Sequence, residues 1–242
     1  MNSNTVFAVI ISVAAIALCA PPKVSQPSYP LWPDQFTQNF TDKTLWLTGS
    51  HETSATFIYD FTNMRYRLDR ANGRYDRYCG TNGVQYQFIN TPCSHIVVDG
   101  NRYLYYPDES DCCYCCNAAA GCGLLKPDWL NDAEFKGNVT YTFQDGSTTE
   151  AYKWEKDGLQ SNFYYETVES NPTDRVMLEI EQDPNEFMYY DNSRTLSVDS
   201  SKLDLPSICS VDKKCSTLSV CEALNNEHQQ HHEAPRKSVQ FD

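Results

Sequence analysis

Five cysteines fall between Cys112 and Cys122, in the stretch Asp111–Leu130 that reads DCCYCCNAAAGCGLLKPDWL. No other part of the chain restricts the fold as much. Adjacent cysteines bond to each other poorly, because a disulfide needs separated Cα atoms and converging Cβ vectors. The cluster must therefore reach elsewhere, to Cys79 and Cys93 upstream or to Cys209, Cys215 and Cys221 downstream. In an extended segment Cys113 and Cys115 point to one side, and Cys112 and Cys116 to the other. The expected result is a disulfide hub that staples a loop-rich face, each bridge contributing roughly 2–4 kcal/mol. Zinc sites use two separated cysteine pairs, a spacing absent here. No C-x-x-C opens a helix in a βαβ context, so a catalytic dithiol is not expected either.

The compartment follows from the first residues. Val6 to Ala20 reads VFAVIISVAAIALCA, an uncharged run of roughly 15 residues, too short to span a membrane and shaped like a secretory signal. Cleavage after Cys19 leaves Ala17 and Cys19 at the two small positions. The chain has 11 cysteines, and losing Cys19 leaves an even set: Cys79, Cys93, Cys112, Cys113, Cys115, Cys116, Cys122, Cys209, Cys215 and Cys221. All ten are expected to pair in an oxidising lumen, with few bridges between immediate neighbours and at least one to a distant partner. Asn39-Phe40-Thr41 and Asn138-Val139-Thr140 fit the N-glycosylation acceptor. No second apolar run reaches spanning length, so the mature chain is expected to be soluble and extracellular, without a transmembrane segment.

Strand-like text fills the rest. Ala55 to Leu68 alternates about a turn at Asn63-Met64, and Ser94 to Tyr106 about Asp99-Gly100. Gly83–Phe88, Val139–Phe143, Glu150–Lys156, Asn162–Val168, Val176–Glu181 and Phe187–Tyr190 read as further strands. Pro127 to Leu130 is suited to a short helix. Short strands at about 10- to 12-residue intervals describe an antiparallel all-β domain with minor α content and a disulfide-rich loop region. The expected organisation is a signal peptide over 1–19 and a Pro-rich leading segment over 20–43. A disulfide-stapled β domain follows over 44–221, then a disordered polar tail over 222–242.

Charge and motifs then narrow the function. With 32 acidic against 19 basic residues the net charge is -13, which excludes a nucleic-acid partner and adhesion to anionic membranes. No nucleophile elbow, H-E-x-x-H or P-loop is present, and no spacing selects a catalytic carboxylate pair, so no catalytic residue is assigned. His228, His231 and His232 lie in the tail and support no more than adventitious metal binding. His51 and His95 read as packed or surface histidines. Asp99, Asp108, Glu109 and Asp111 offer hard oxygens for a weak Ca2+ site beside the cysteines, without EF-hand spacing. No other cofactor is expected.

Phe57-Ile58-Tyr59-Asp60-Phe61, then Arg65 and Arg67, then Trp154 and the Leu205-Pro206-Ser207-Ile208-Cys209 close, resemble the ependymin-related secreted proteins over roughly Thr44 to Cys209. The CCYCC cluster departs from that family's pattern, so no pairing carries over. The resemblance implies a strongly curved antiparallel sheet or half-barrel, like the bacterial lipoprotein carriers LolA and LolB. It also implies a concave apolar pocket and an association with calcium. The expected function is a secreted, non-enzymatic protein holding a hydrophobic small molecule or lipid. A structural or adhesive extracellular glycoprotein and a secreted hydrolase are the alternatives, and the oligomeric state is left open.

Overall fold

The structure, a computed structural model, describes residues 26–46, 49–157 and 161–233. The expected signal peptide lies outside them. The first six strands are β1 (Gln35–Trp46), β2 (Gly49–Asp60), β3 (Arg65–Arg70), β4 (Cys93–Val98), β5 (Asn101–Tyr106) and β6 (Asp111–Asn117). The other five are β7 (Glu134–Thr142), β8 (Thr148–Asp157), β9 (Ser161–Thr167), β10 (Met177–Gln182) and β11 (Asn185–Tyr189). They form one open antiparallel sheet in the order β6-β5-β4-β3-β2-β1-β11-β10-β9-β8-β7. Two meanders therefore meet where β1 pairs β11, Phe40 opposite Tyr189.

Alternation explains which face is buried. Phe36 and Phe40 on β1, Phe57 and Tyr59 on β2, Tyr66 on β3, Val97 on β4, Tyr164 on β9, Trp154 on β8 and Tyr189 on β11 share one core. That core demands curvature. β5 and β9 are seven places apart in the sheet, about 33 Å if it were flat, yet Arg102 on β5 and Asn162 on β9 line one cavity.

Because β6 and β7 are opposite edges, the chain between them must cross the concave face. This strap, residues 118–133, leaves β6 through the Cys116–Cys122 disulfide. Leu125 then accepts a hydrogen bond from the Tyr59 hydroxyl at 2.7 Å, and the Pro127 carbonyl accepts from the Trp32 amide at 3.0 Å. Leu130 and Ala133 are buried in the main core, with Leu124 and Trp129 packed against it. The strap ends at an ion pair between Asp132 and Lys156 on β8. The Pro127–Leu130 stretch is a run of turns rather than the expected helix. Its amides bond three residues back, as Trp129 to Lys126 and Asn131 to Asp128, without building further turns.

All ten cysteines pair: Cys79–Cys93, Cys112–Cys209, Cys113–Cys215, Cys115–Cys221 and Cys116–Cys122. Three bridges run from β6 to the C-terminal segment, and one stays within the cluster. Cys79 and Cys93 serve each other instead of the cluster. Gly73 is required beside them, since a Cβ there would lie 2.4 Å from that of Cys93. The expected facing of Cys116 is corrected. The β5–β6 register shifts between Arg102 and Tyr103, which face Cys116 and Tyr114. This bulge turns Cys116 into the same buried cluster as Cys113 and Cys115, while Cys112 packs elsewhere with Tyr103 and Tyr114.

Other expectations are also corrected. β1 starts at Gln35, well before Thr44, because Phe36, Gln38, Phe40 and Asp42 alternate inward. The leading segment packs into the core: Trp32 is 5% exposed and donates through Nε1 to the Tyr164 hydroxyl at 3.0 Å. Residues 84–87 form a 3-10 turn instead of a strand, burying only Tyr86, which stacks on Tyr106 at 3.9 Å. The tail begins as helix α1 (Val220–Glu233), not as disordered chain. Cys221 fastens its first turn to β6, and Asn225 donates to the Cys115 carbonyl at 2.8 Å. Residues 234–242 lie outside the described residues.

Two measurements check this fold. The three long bridges are neighbours, so while Cys113–Cys215 holds, opening Cys112–Cys209 frees only a short loop. A Cys112→Ser/Cys209→Ser variant should therefore lose about 2–3 kcal/mol in chemical denaturation, not the ~4.7 kcal/mol of an isolated 100-residue loop. A loss near the larger figure would contradict the pairing. The second concerns Glu179 on the outer face. Burial pushes its carboxyl up to about 7, with Glu186 and Glu181 adding repulsion against Tyr141 and Lys43. Between the ordinary value of 4.5 and about 7 the folded state holds a proton that the unfolded chain has released. Stability present below 4.5 is thus lost as pH rises through 7. Glu179→Gln should match the parent near pH 4.5 and melt about 2–4 °C higher at pH 8. Thermal melts at both pH values decide it.

Candidate functional site: a cavity under the strap

A cavity of about 410 Å³ lies between the concave face and the strap. Alternating residues build its apolar wall: Phe57 and Tyr59 from β2, Leu68 from β3, Ile180 from β10 and Phe187 from β11. Leu124, Leu125 and Trp129 close it from the strap, and Trp32 from the leading segment. The Trp32 ring is centred 5.4 Å from Tyr59 and 5.7 Å from Trp129, edge-on to each.

One end is polar. Arg70 continues the inward row of Tyr66 and Leu68 on β3; His95 faces inward on β4 and Arg102 on β5. Arg70 Nε donates to Asp42 Oδ2 at 2.5 Å, and its Nη2 lies 3.2 Å from Asp76 Oδ2. Asp76 Oδ1 also sits 2.9 Å from His95 Nε2 and accepts the Cys79 amide at 2.7 Å. Burial opposes charge on Asp76, but Arg70, His95 and the Cys79 amide hold its carboxyl far below the usual range. Burial and the two arginines push His95 down, against the pull of Asp76. His95 is therefore neutral, with Nε2–H donating to Asp76. Arg102 lies 5.2 Å from the Tyr78 ring centre. Beyond this layer a second core of disulfides, Leu104 and Tyr106 continues the same face.

The expected site residues fall out as follows. Asn39 and Asn138 are exposed on β1 and β7. Asp99 stands in the β4–β5 turn, whereas Asp108 and Glu109 stand in the β5–β6 turn. The whole of β5 separates them, and Asp111 is occupied by Lys213 and the Tyr86 hydroxyl. The four carboxylates therefore do not converge on a Ca2+ site. Cys115, Cys116 and Cys122 converge, as do Asp76, Cys79 and His95, but every one of those sulfurs is spent in a disulfide and offers no thiolate. His51 stacks on Tyr75 at 3.7 Å. The side chains of His228, His231 and His232 lie outside the described residues. Arg65 and Arg67 point away from the cavity, to Asp60 and Asp69.

Sequence reasoning missed Arg70, Asp76 and Arg102. For Arg70 a signal existed: Tyr66-x-Leu68-x-Arg70 puts a cation in phase with two inward residues. His95 Nε2 and Asp76 are paired, yet the sulfur beside them is the bonded Cys79, so this triad presents no free nucleophile.

No protein-family model matches the sequence, and no curated protein matches it. Among solved structures the chain is similar to an uncharacterized conserved protein from Thermus thermophilus. The likeness has 9% identity and a TM-score of 0.42, over 72% of this chain and 87% of that one.

Proposed function

We propose that this is a secreted, non-enzymatic binding protein whose concave cavity holds an apolar, lipid-like ligand. The observation that carries the reading is the cavity itself. At about 410 Å³ it lies within the range of small-molecule sites, and aromatic and aliphatic side chains form most of its wall. A sheet built only to fill a core would close such a space, since interiors pack as densely as organic crystals. The resemblance to ependymin-related proteins points the same way. Secretion is supported by the uncharged N-terminal run, the complete pairing of ten cysteines and the exposure of both candidate glycosylation sites. Among the described residues no helix is long and apolar enough to cross a membrane.

Native mass spectrometry of protein recovered from culture medium should show a co-purifying lipid. After delipidation the protein should bind the fluorescent apolar probe 1-aminoanthracene with one site. Leu68→Trp, which extends a ring into the cavity, should weaken that binding at least tenfold with an unchanged far-ultraviolet spectrum. A wild-type protein that yields no lipid and takes up no probe would remove the reading.

A further inference from the structure

The chemistry of the cavity's polar end identifies the kind of ligand. Two arginines set into the fold, Arg70 and Arg102, line the cavity together with one carboxylate, Asp76, and Arg77 stands exposed at its edge. That one carboxylate is already consumed. It takes Arg70 Nη2, His95 Nε2 and the amides of Tyr78 and Cys79, which fills the roughly four lone-pair positions a carboxylate offers. Asp42 takes Arg70 Nε through Oδ2, while its Oδ1 has no hydrogen-bond partner.

Donors are left over. Arg70 Nη1, Arg102 Nε and Trp129 Nε1 are buried with no hydrogen-bond partner, and all three residues line the cavity. Arg70 is 4% exposed, so water outside the protein does not serve its guanidinium. A buried donor without an acceptor is destabilising, and more so when it is charged.

We infer that the ligand is a single-chain amphiphile with a carboxylate head, a long-chain fatty acid. Its head sits against Arg70 and Arg102, and its tail lies along Leu68, Phe57, Ile180 and Phe187. The inference rests on the cavity being a ligand site, as proposed above. One carboxylate has acceptor positions for both arginine donors, and arginine suits it through paired N–H groups. The volume stands at the low end of ligand sites, which favours one tail over two.

The test is displacement of 1-aminoanthracene from the delipidated, disulfide-bonded protein by oleate, oleyl alcohol and oleoyl lysophosphatidate at pH 7.4. Oleate should bind about ten- to a hundredfold more tightly than the alcohol of the same tail, the scale of charge-assisted hydrogen bonds. Arg102→Gln should erase most of that difference. Arg70 is left intact because its ion pairs hold the sheet together. Equal affinity for oleate and oleyl alcohol would overturn the carboxylate while leaving the apolar site standing. Tighter binding of the lysophosphatidate than of oleate would replace the carboxylate by a phosphate. Binding of none of the three, nor of the probe, would remove the cavity reading itself. If Arg102→Gln does not fold, the wild-type ratio of oleate to alcohol decides alone.

Discussion

The chain has to travel from one edge of an open sheet to the other, and the shape of the molecule follows from that crossing. β6 and β7 are consecutive in sequence but lie at opposite ends of eleven strands. Residues 118–133 span at most ~55 Å fully extended, and they spend part of that length in turns. A flat sheet of this size would be about 48 Å wide. The strap could cross it only as a taut, solvent-facing string. Curvature shortens the path and lets Leu124, Trp129 and Leu130 turn inward. The open sheet then gains a second wall, and the space between the two walls is the cavity.

The buried charges divide that interior. On one side lies the aromatic core and on the other the cysteine-rich core, with Arg70, Asp76, His95 and Arg102 between them. Such a layer is a poor source of stability, because taking charges out of water costs more than an apolar replacement of the same shape. It is also incompletely satisfied, since Arg70 Nη1, Arg102 Nε and Asp42 Oδ1 have no partner. A protein that needed only a stable core would do better with leucines at these positions. The ion pairs fix Arg70 and Asp76 in place, and Asp76 also fixes the loop that carries Cys79 through its amide. The layer is thus rigid as well as polar, which suits recognition of a fixed head group.

Much of this architecture was legible where local chemistry and tertiary role agree. The β2–β3 hairpin turns at Asn63-Met64, and β4–β5 at Asp99-Gly100, as their turn residues demand. β1 was hidden because its inward row includes Gln38, Asp42 and Thr44, buried polar residues that break the apolar alternation. The partners of those positions are distant: Gln38 donates to the Met177 carbonyl, and Asp42 holds Arg70. The facing of Cys116 depends on a bulge, a single-residue register change that leaves no mark in the cysteine spacing. α1 is polar beyond its first turns, and its start is ordered by the disulfide at Cys221 and by Leu224 against the cysteine-rich core. The cavity was accessible only as a family expectation. Its polar end could have been suspected from Arg70, but Arg102 required the register of β5 against β4.

Trp32 shows why the interior cannot be assembled piecemeal. It comes from the leading segment, and its ring meets Phe36, Phe57 and Tyr59 of the first meander. Its indole N–H bonds Tyr164 of the second meander, and its backbone bonds the strap. Ser28, a few residues earlier, is held by Arg175, itself paired with buried Glu166. The stretch from Ser28 to Trp32 is thus held by residues more than a hundred positions later in the chain. The long bridges impose the same order: the loop between Cys112 and Cys209 encloses the strap and the whole second meander. Contacts of such sequence separation form only after a large entropic cost of closure, which makes folding slow. The cavity is therefore complete only when both meanders, the strap and the stretch from Ser28 to Trp32 close on one another.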